Sequence, residues 1–242
     1  MDQILFNKIC EELFSLNGLD TPTNEQLEKL YLLTDIMLDT SKVMNLTAIK
    51  EERSIILRHY VDSLLVSRYI PTGVTVLDVG CGAGFPTLPL AIFRPDLKIT
   101  ALDSTAKRIE YVRSTAMRLG CKNVTAVAAR AEELGNDPKW RESFNVVTAR
   151  AVASLPALTE LCLPFTKLGG EFVPMKALKT DEEIEQAKNA IRICGGAIKE
   201  IHRIDLRDGT VSESRCIIQI NKLSATPQNY PRHFSKISKK PL

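Results

Sequence analysis

The chain has 242 residues, 44% of them apolar and 25% charged, a balance that excludes disordered, collagenous and low-complexity polypeptides and leaves ample material for a core. Six dispersed cysteines with no Cys-x-x-Cys pair, and three scattered histidines, signal neither a disulfide framework nor a metal site, so buried thiols are expected. The net charge is +3, no apolar run approaches the roughly 20 residues that span a bilayer, and Asp2, Lys8, Glu11 and Glu12 break up the N-terminal segment; the expectation is a cytoplasmic protein away from membranes.

Residues 1–70 read as a helical extension. Ile4, Leu5, Ile9, Leu13 and Leu16 follow helical spacing, and Gly18 stops the pattern. Thr23 and Gln26 form a capping box behind Pro22, opening a second helix with the stripe Leu27, Leu30, Tyr31, Thr34, Met37 and Leu38. A third amphipathic segment, Glu51 to Ile70, aligns Ile55, Ile56, His59, Ser63 and Val66.

Residues 71–222 change texture. Strands are predicted at Thr75–Val79, Lys98–Leu102, Asn123–Ala128, Phe144–Thr148, Glu171–Met175, Ala197–Ile204 and Arg215–Ile220. Helices are predicted at Thr87–Phe93, Ala106–Leu119, Leu155–Phe165 and Asp181–Ile193. Alternation of this kind makes an α/β domain, with a seven-stranded, mostly parallel sheet covered on both faces; the hairpin through Arg207, Asp208 and Gly209 turns the last strand antiparallel. Residues 223–242 form a basic tail, carrying +4 against −1 for the remainder. Such a tail can follow nucleic-acid phosphates or be a solvated end, and charge alone leaves both open.

The strongest chemical signal is the run from Val76 to Pro86: an apolar strand ending in Asp78 and Val79, then Gly80, Gly82 and Gly84 at alternate positions. Glycines at a strand end allow a tight turn and close approach of a ligand to the backbone. A dinucleotide fingerprint would require glycine where this chain has Phe85, whereas an acid two residues before G-x-G-x-G is the pattern of S-adenosylmethionine (SAM) methyltransferases. Asp103, nineteen residues past Gly84 at the end of the second strand, is placed to accept hydrogen bonds from both ribose hydroxyls, although a helix-capping role competes. The third strand runs into Ala129, Arg130, Ala131 and Glu132, where the adenine would lie, and the fourth ends at Thr148, Ala149 and Arg150 on the same lip.

The acceptor is read from what is absent. No Asn/Asp-Pro-Pro-aromatic motif for exocyclic amines follows the fourth strand, and Cys162, inside an apolar helix without a preceding proline, reads as core. A ring nitrogen with a free lone pair fits, because its alkylation needs alignment and no general base.

Asn45-Leu46-Thr47, Arg58-His59 with Asp62-Ser63, Leu77 through Pro86, Asp103-Ser104 with Lys107-Arg108, Arg130-Ala131-Glu132, Arg150-Ala151, Lys176, Tyr230-Pro231-Arg232 and Lys239 to Leu242 together resemble the bacterial RsmG (GidB) family over nearly the whole chain. The resemblance implies a Rossmann-like class I SAM-dependent methyltransferase fold with an N-terminal helical extension. It also implies methylation of guanine N7 in 16S ribosomal RNA, in the 530-loop region of the small subunit. A monomer is expected, although nothing in the sequence fixes the oligomeric state. Carried over position by position, the cofactor contacts would be Gly80, Phe85, Ala131, Glu132 and Arg150, beside Asp78, Gly82, Gly84 and Asp103 from the strand-end pattern. Arg130, Arg150 and Lys176 are the candidates for orienting RNA or the cofactor. Thr87 and Ala177 stand where that family usually has glycine. Methylation of another RNA, a protein or a small molecule, or RNA binding without turnover, are the alternatives.

Overall fold

The computed structural model describes residues 2–150, 153–177 and 180–242; Ala151, part of one quoted motif, lies outside them. Seven strands, β1 (Thr75–Val79), β2 (Lys98–Asp103), β3 (Val124–Ala128), β4 (Phe144–Arg150), β5 (Thr166–Ala177), β6 (Gly196–Arg207) and β7 (Ser212–Lys222), form one sheet in the order β3-β2-β1-β4-β5-β7-β6. β7 runs antiparallel between β5 and β6, and the other pairings are parallel. The hairpin before β7 is closed by Asp208, whose Oδ1 accepts from the Thr210 and Val211 amides. β5 begins five residues earlier than the apolar run suggests, because Gly169 and Gly170 read as a turn but lie inside the strand; a Cβ on Gly170 would sit 2.5 Å from the Asn145 carbonyl oxygen.

Alternate strand residues feed two cores, as the two-residue period of a strand requires. Val76, Ile99, Val146 and Val173 pack beneath α5 (Thr87–Phe93) and α6 (Ala106–Arg118), whereas Leu77, Leu102, Val147 and Phe172 pack with α8 (Leu155–Cys162) and α9 (Thr180–Ile193). All six cysteines are buried free thiols, as expected.

The extension joins the first of these cores. α1 (Gln3–Leu16) is capped by Asp2 and ends at Gly18, and α2 (Asn24–Ser41) starts with the Thr23–Gln26 capping box formed in both directions. The third segment differs from its amphipathic expectation. It winds through α3 (Glu52–Ile55), a π-helical stretch (Ile56–Val61), α4 (Asp62–Leu64) and a 3₁₀ stretch (Leu65–Tyr69), and every residue from Tyr60 to Val66 is buried. The segment is sandwiched between the extension and the sheet, so its middle is covered on all sides while Arg58 and Arg68 still reach water, and the π-turn re-aims its side chains.

Two short helices escaped the sequence reading: α7 (Ala131–Leu134) and α10 (Phe234–Lys239). The second lies in the basic tail, which is docked. Arg232 donates to both oxygens of the fully buried Glu160, from its amide and Nε at 2.8 Å and from its terminal nitrogen at 2.6 Å. Arg141 donates to the carbonyls of Tyr230 and Thr226, and Lys222, itself buried, donates to the Leu163 and Cys194 carbonyls. Arg232 is therefore committed to the fold and is not a free phosphate ligand, while Lys236, Lys239 and Lys240 stay exposed. Arg232→Ala, which strands the Glu160 carboxylate in the interior, is expected to lower stability by about 3 to 5 kcal/mol in urea denaturation; Glu160→Gln combined with Arg232→Ala is expected to recover part of that loss.

Candidate active site

In an open parallel sheet whose strand order reverses between β1 and β4, the chain leaves the two carboxyl ends in opposite directions and opens a crevice. A cleft of about 910 Å³ lies there, lined by Gly80, Gly82, Phe85, Asp103, Arg130, Ala131, Glu132, Arg150 and Lys176 among others. Nine of the eleven predicted site residues thus meet at one place. Asp78 and Gly84 are the two that do not line it.

The glycine turn is hung on β2. The amides of Gly80 and Cys81 both donate to the Leu102 carbonyl, at 2.7 and 3.0 Å, and the Gly82 amide donates to Asp103 Oδ2 at 3.0 Å. Gly82 has φ +55°, and a Cβ there would meet nothing closer than the Gly80 oxygen at 3.9 Å, so its bare face is open. Gly84, at φ +87°, looks the other way. A Cβ on it would sit 2.6 Å from Leu88 Cδ1, so its role is to let α5 close on the turn.

Asp78 is fully buried behind this turn. Its Oδ2 accepts from the Thr87 hydroxyl at 2.6 Å, and its Oδ1 has no hydrogen-bond partner among the described residues. Burial pushes the carboxyl up to about 6, against the pull of the Thr87 hydroxyl and the Arg150 charge. Thr87, the departure from the family pattern, is thus the residue that satisfies half of this acid. Because the folded state holds the proton more tightly than the unfolded chain, the stability this contributes is present below the usual aspartate range and is lost as pH rises through about 6.

Asp103 uses both oxygens locally, Oδ2 on Gly82 and Oδ1 on the Thr105 amide at 2.8 Å, which is the turn-capping role. Each oxygen keeps a second lone pair, and the residue lines the cleft, so the ribose role is compatible with it. Across from it, α7 brings in Glu132, which is 6% exposed and whose Oε1 has no hydrogen-bond partner among the described residues; the Arg130 guanidinium is 3.7 Å away.

The opposite wall is cationic but tied down. Arg150 donates to the Arg58 carbonyl at 2.9 Å and to Asp62 Oδ2 at 3.0 Å, and its guanidinium lies 5.5 Å from the centre of the Phe85 ring. Asp62 Oδ1 accepts from Arg215 at 2.9 Å, Arg215 pairs with Glu213, and Glu213 pairs with Arg58. Lys176 donates to the Ala153 carbonyl at 2.9 Å and pairs with Glu183 at 2.8 Å. The His59 ring stacks on Phe85, 4.5 Å between centres, with Nε2 on the Thr47 hydroxyl. Burial, with the Arg150 charge, pushes it down to about 4, so it is neutral at pH 7. Asp62 had a weak signal in the Asp62-Ser63 pair; Arg215 and Phe234, at the far end of the chain, had none.

The Asp78→Asn variant is expected to be more stable than the parent at pH 7, by on the order of 2 kcal/mol. The difference should vanish towards pH 4, as read from urea denaturation at the two values. An unchanged difference at both would show that Asp78 does not titrate in this way.

Comparison with known proteins agrees with this architecture. A family model described as GidB, rRNA small subunit methyltransferase G, matches residues 26–209. A ribosomal RNA small subunit methyltransferase G of Acetivibrio thermocellus is 43% identical over 220 residues, covering 90% of each chain. One from an Exiguobacterium species is 44% identical over 219 residues, covering 90% of this chain and 91% of the relative. Among solved structures, a SAM-dependent methyltransferase from Aquifex aeolicus superposes with a TM-score of 0.50 at 18% identity, covering 69% of this chain and 92% of that one, a likeness of fold. With a family match over most of its length and relatives above 40% identity across nine-tenths of it, the chain belongs to the GidB family of small-subunit rRNA methyltransferases.

Proposed function

We propose that the protein transfers the methyl group of SAM to N7 of a guanine in the 530-loop region of 16S ribosomal RNA, acting as a monomer. Family membership supports the reaction class and the small-subunit substrate. The residues present fit the donor. Gly82 leaves an open backbone face, Asp103 offers its remaining lone pairs to ribose hydroxyls, and the buried carboxylate of Glu132, whose Oε1 has no hydrogen-bond partner among the described residues, suits the exocyclic amine of adenine. When bound, SAM supplies an activated methyl group on a sulfonium centre.

The choice of a ring nitrogen rests on one observation. Asp62 is engaged by two arginines, Glu183 by Lys176 and Asp103 by two amides, and His59 lies flat on Phe85. With Glu132 assigned to the adenine, these groups are committed to holding the cleft, which suits a nucleophile that carries no proton. Guanine N7 is such an atom, and its alkylation asks the protein for alignment and for exclusion of water. An arginine forked onto guanine O6 and N7 would cover the nucleophile, so reading of the base falls to its Watson–Crick edge, with the base turned out of its stack. Arg150 and Lys176, pinned by their partners, set the shape and positive potential of the wall facing the RNA.

Labelled SAM incubated with small subunits from a strain lacking the gene is expected to yield 7-methylguanosine at one nucleotide, mapped by cleavage at the modified base. Label at another base, or on protein, would overturn the reading. The single-turnover rate is expected to be flat from about pH 6.5 to 8, since the N7 nucleophile carries no proton to be removed. A tenfold rise per pH unit there would instead demand a proton acceptor.

A further inference from the structure

The docked tail reaches the cleft. Phe234, the first residue of α10, lines the same cavity as Ala131 and Glu132 and remains 38% exposed, a large apolar surface left open. Its backbone is fixed on both sides. Arg232 is clamped to the buried Glu160, the His233 ring accepts from the Ser235 amide, and Ile237 is fully buried among the residues of the α8 core. The tail also grips α7. Pro231 lies against Gly135, where a Cβ would come within 2.9 Å of the proline ring. The Asn136 amide donates at once to the Glu132 carbonyl, at 2.9 Å, and to the Pro231 carbonyl, at 3.1 Å. Glu132, a cleft-lining residue whose Oε1 has no hydrogen-bond partner among the described residues, is therefore carried by a turn that the tail holds in place.

We infer that Phe234 and Pro231 complete the nucleoside wall of the donor site, with the Phe234 ring packing on the adenine and Pro231, through Asn136, positioning Glu132. The inference rests on the SAM reading above and adds to it a ligand contact from a segment whose charge left phosphate contact and a solvated end both open. An aromatic ring is well suited to this place: the adenine face is flat and apolar, and stacking on it is worth about 0.5 to 1.5 kcal/mol.

Calorimetric titration of the full-length protein with SAM and with S-adenosylhomocysteine tests it. Phe234→Ala is expected to weaken both ligands equally, by about three- to tenfold, because they share the adenosine end. Lys236→Ala, an exposed change on the same helix, should leave both affinities as they are. Phe234→Trp is expected to retain affinity and to change its fluorescence on adding SAM, beyond any change from the native Trp140; this readout does not depend on the alanine variant folding. Parent-like affinity in Phe234→Ala, or an introduced indole whose emission is indifferent to the ligand, would overturn the inference while leaving the SAM reading intact. Failure of the parent protein to bind SAM would overturn the reading beneath it.

Discussion

Asp62 is withdrawn from water and answers to two guanidinium groups, Arg150 at 3.0 Å and Arg215 at 2.9 Å. A buried carboxylate is tolerated only when its lone pairs are met, and removal of one partner leaves the charge stranded. The three residues come from three parts of the chain: the helical extension, the end of β4 and the hairpin strand β7. Their meeting point fixes how the extension sits on the sheet, and through Arg150 and Phe85 it fixes one wall of the cleft. The extension thus belongs to the architecture of the cleft, because without it Arg150 would lose both Asp62 and the Arg58 carbonyl.

The other wall is built on a different principle. Strand ends of a parallel sheet collect at one edge, and the glycine turn after β1 is held by a single carbonyl, that of Leu102, which accepts two amides in succession. Asp103, one residue further on, closes the same turn through Gly82. The cradle is therefore rigid before any ligand arrives, and its open face results from the absence of a side chain on Gly82. Behind it, Asp78 and Thr87 fill the space that the turn creates. In this chain Thr87 adds a hydroxyl that a glycine at the same place would lack, and the hydroxyl bonds to the buried acid.

The tail joins the two walls to the rest of the molecule. Glu160 and Lys222 are both interior charges; Glu160 is satisfied by Arg232 of the tail, whereas Lys222 is held by the Leu163 and Cys194 carbonyls of the body together with Thr226 of the tail. Charge composition marks this segment as basic and leaves open whether it is solvated or follows phosphates, yet one of its four cations is used internally, on Glu160. What remains exposed is three lysines on and just beyond a short helix whose first residue faces the cleft.

The sequence by itself determined the α/β class, the seven strands to within a few residues, the capping box of α2, and the convergence of Gly80, Asp103, Glu132 and Arg150 on one edge. Those features follow from local rules: the periods of two and 3.6, glycine at strand ends, and the polarity of a parallel sheet. Tertiary structure decided the rest. That Asp78 and Gly84 stand behind the cleft, that Tyr60 to Val66 of the third helical segment are buried, that Arg215 completes the Asp62 pair, that Pro231 packs on the turn after α7 and that Phe234 reaches the cleft all depend on contacts between residues far apart in the chain. No local pattern encodes such contacts, because each is fixed by what must be paired or covered once the elements have packed.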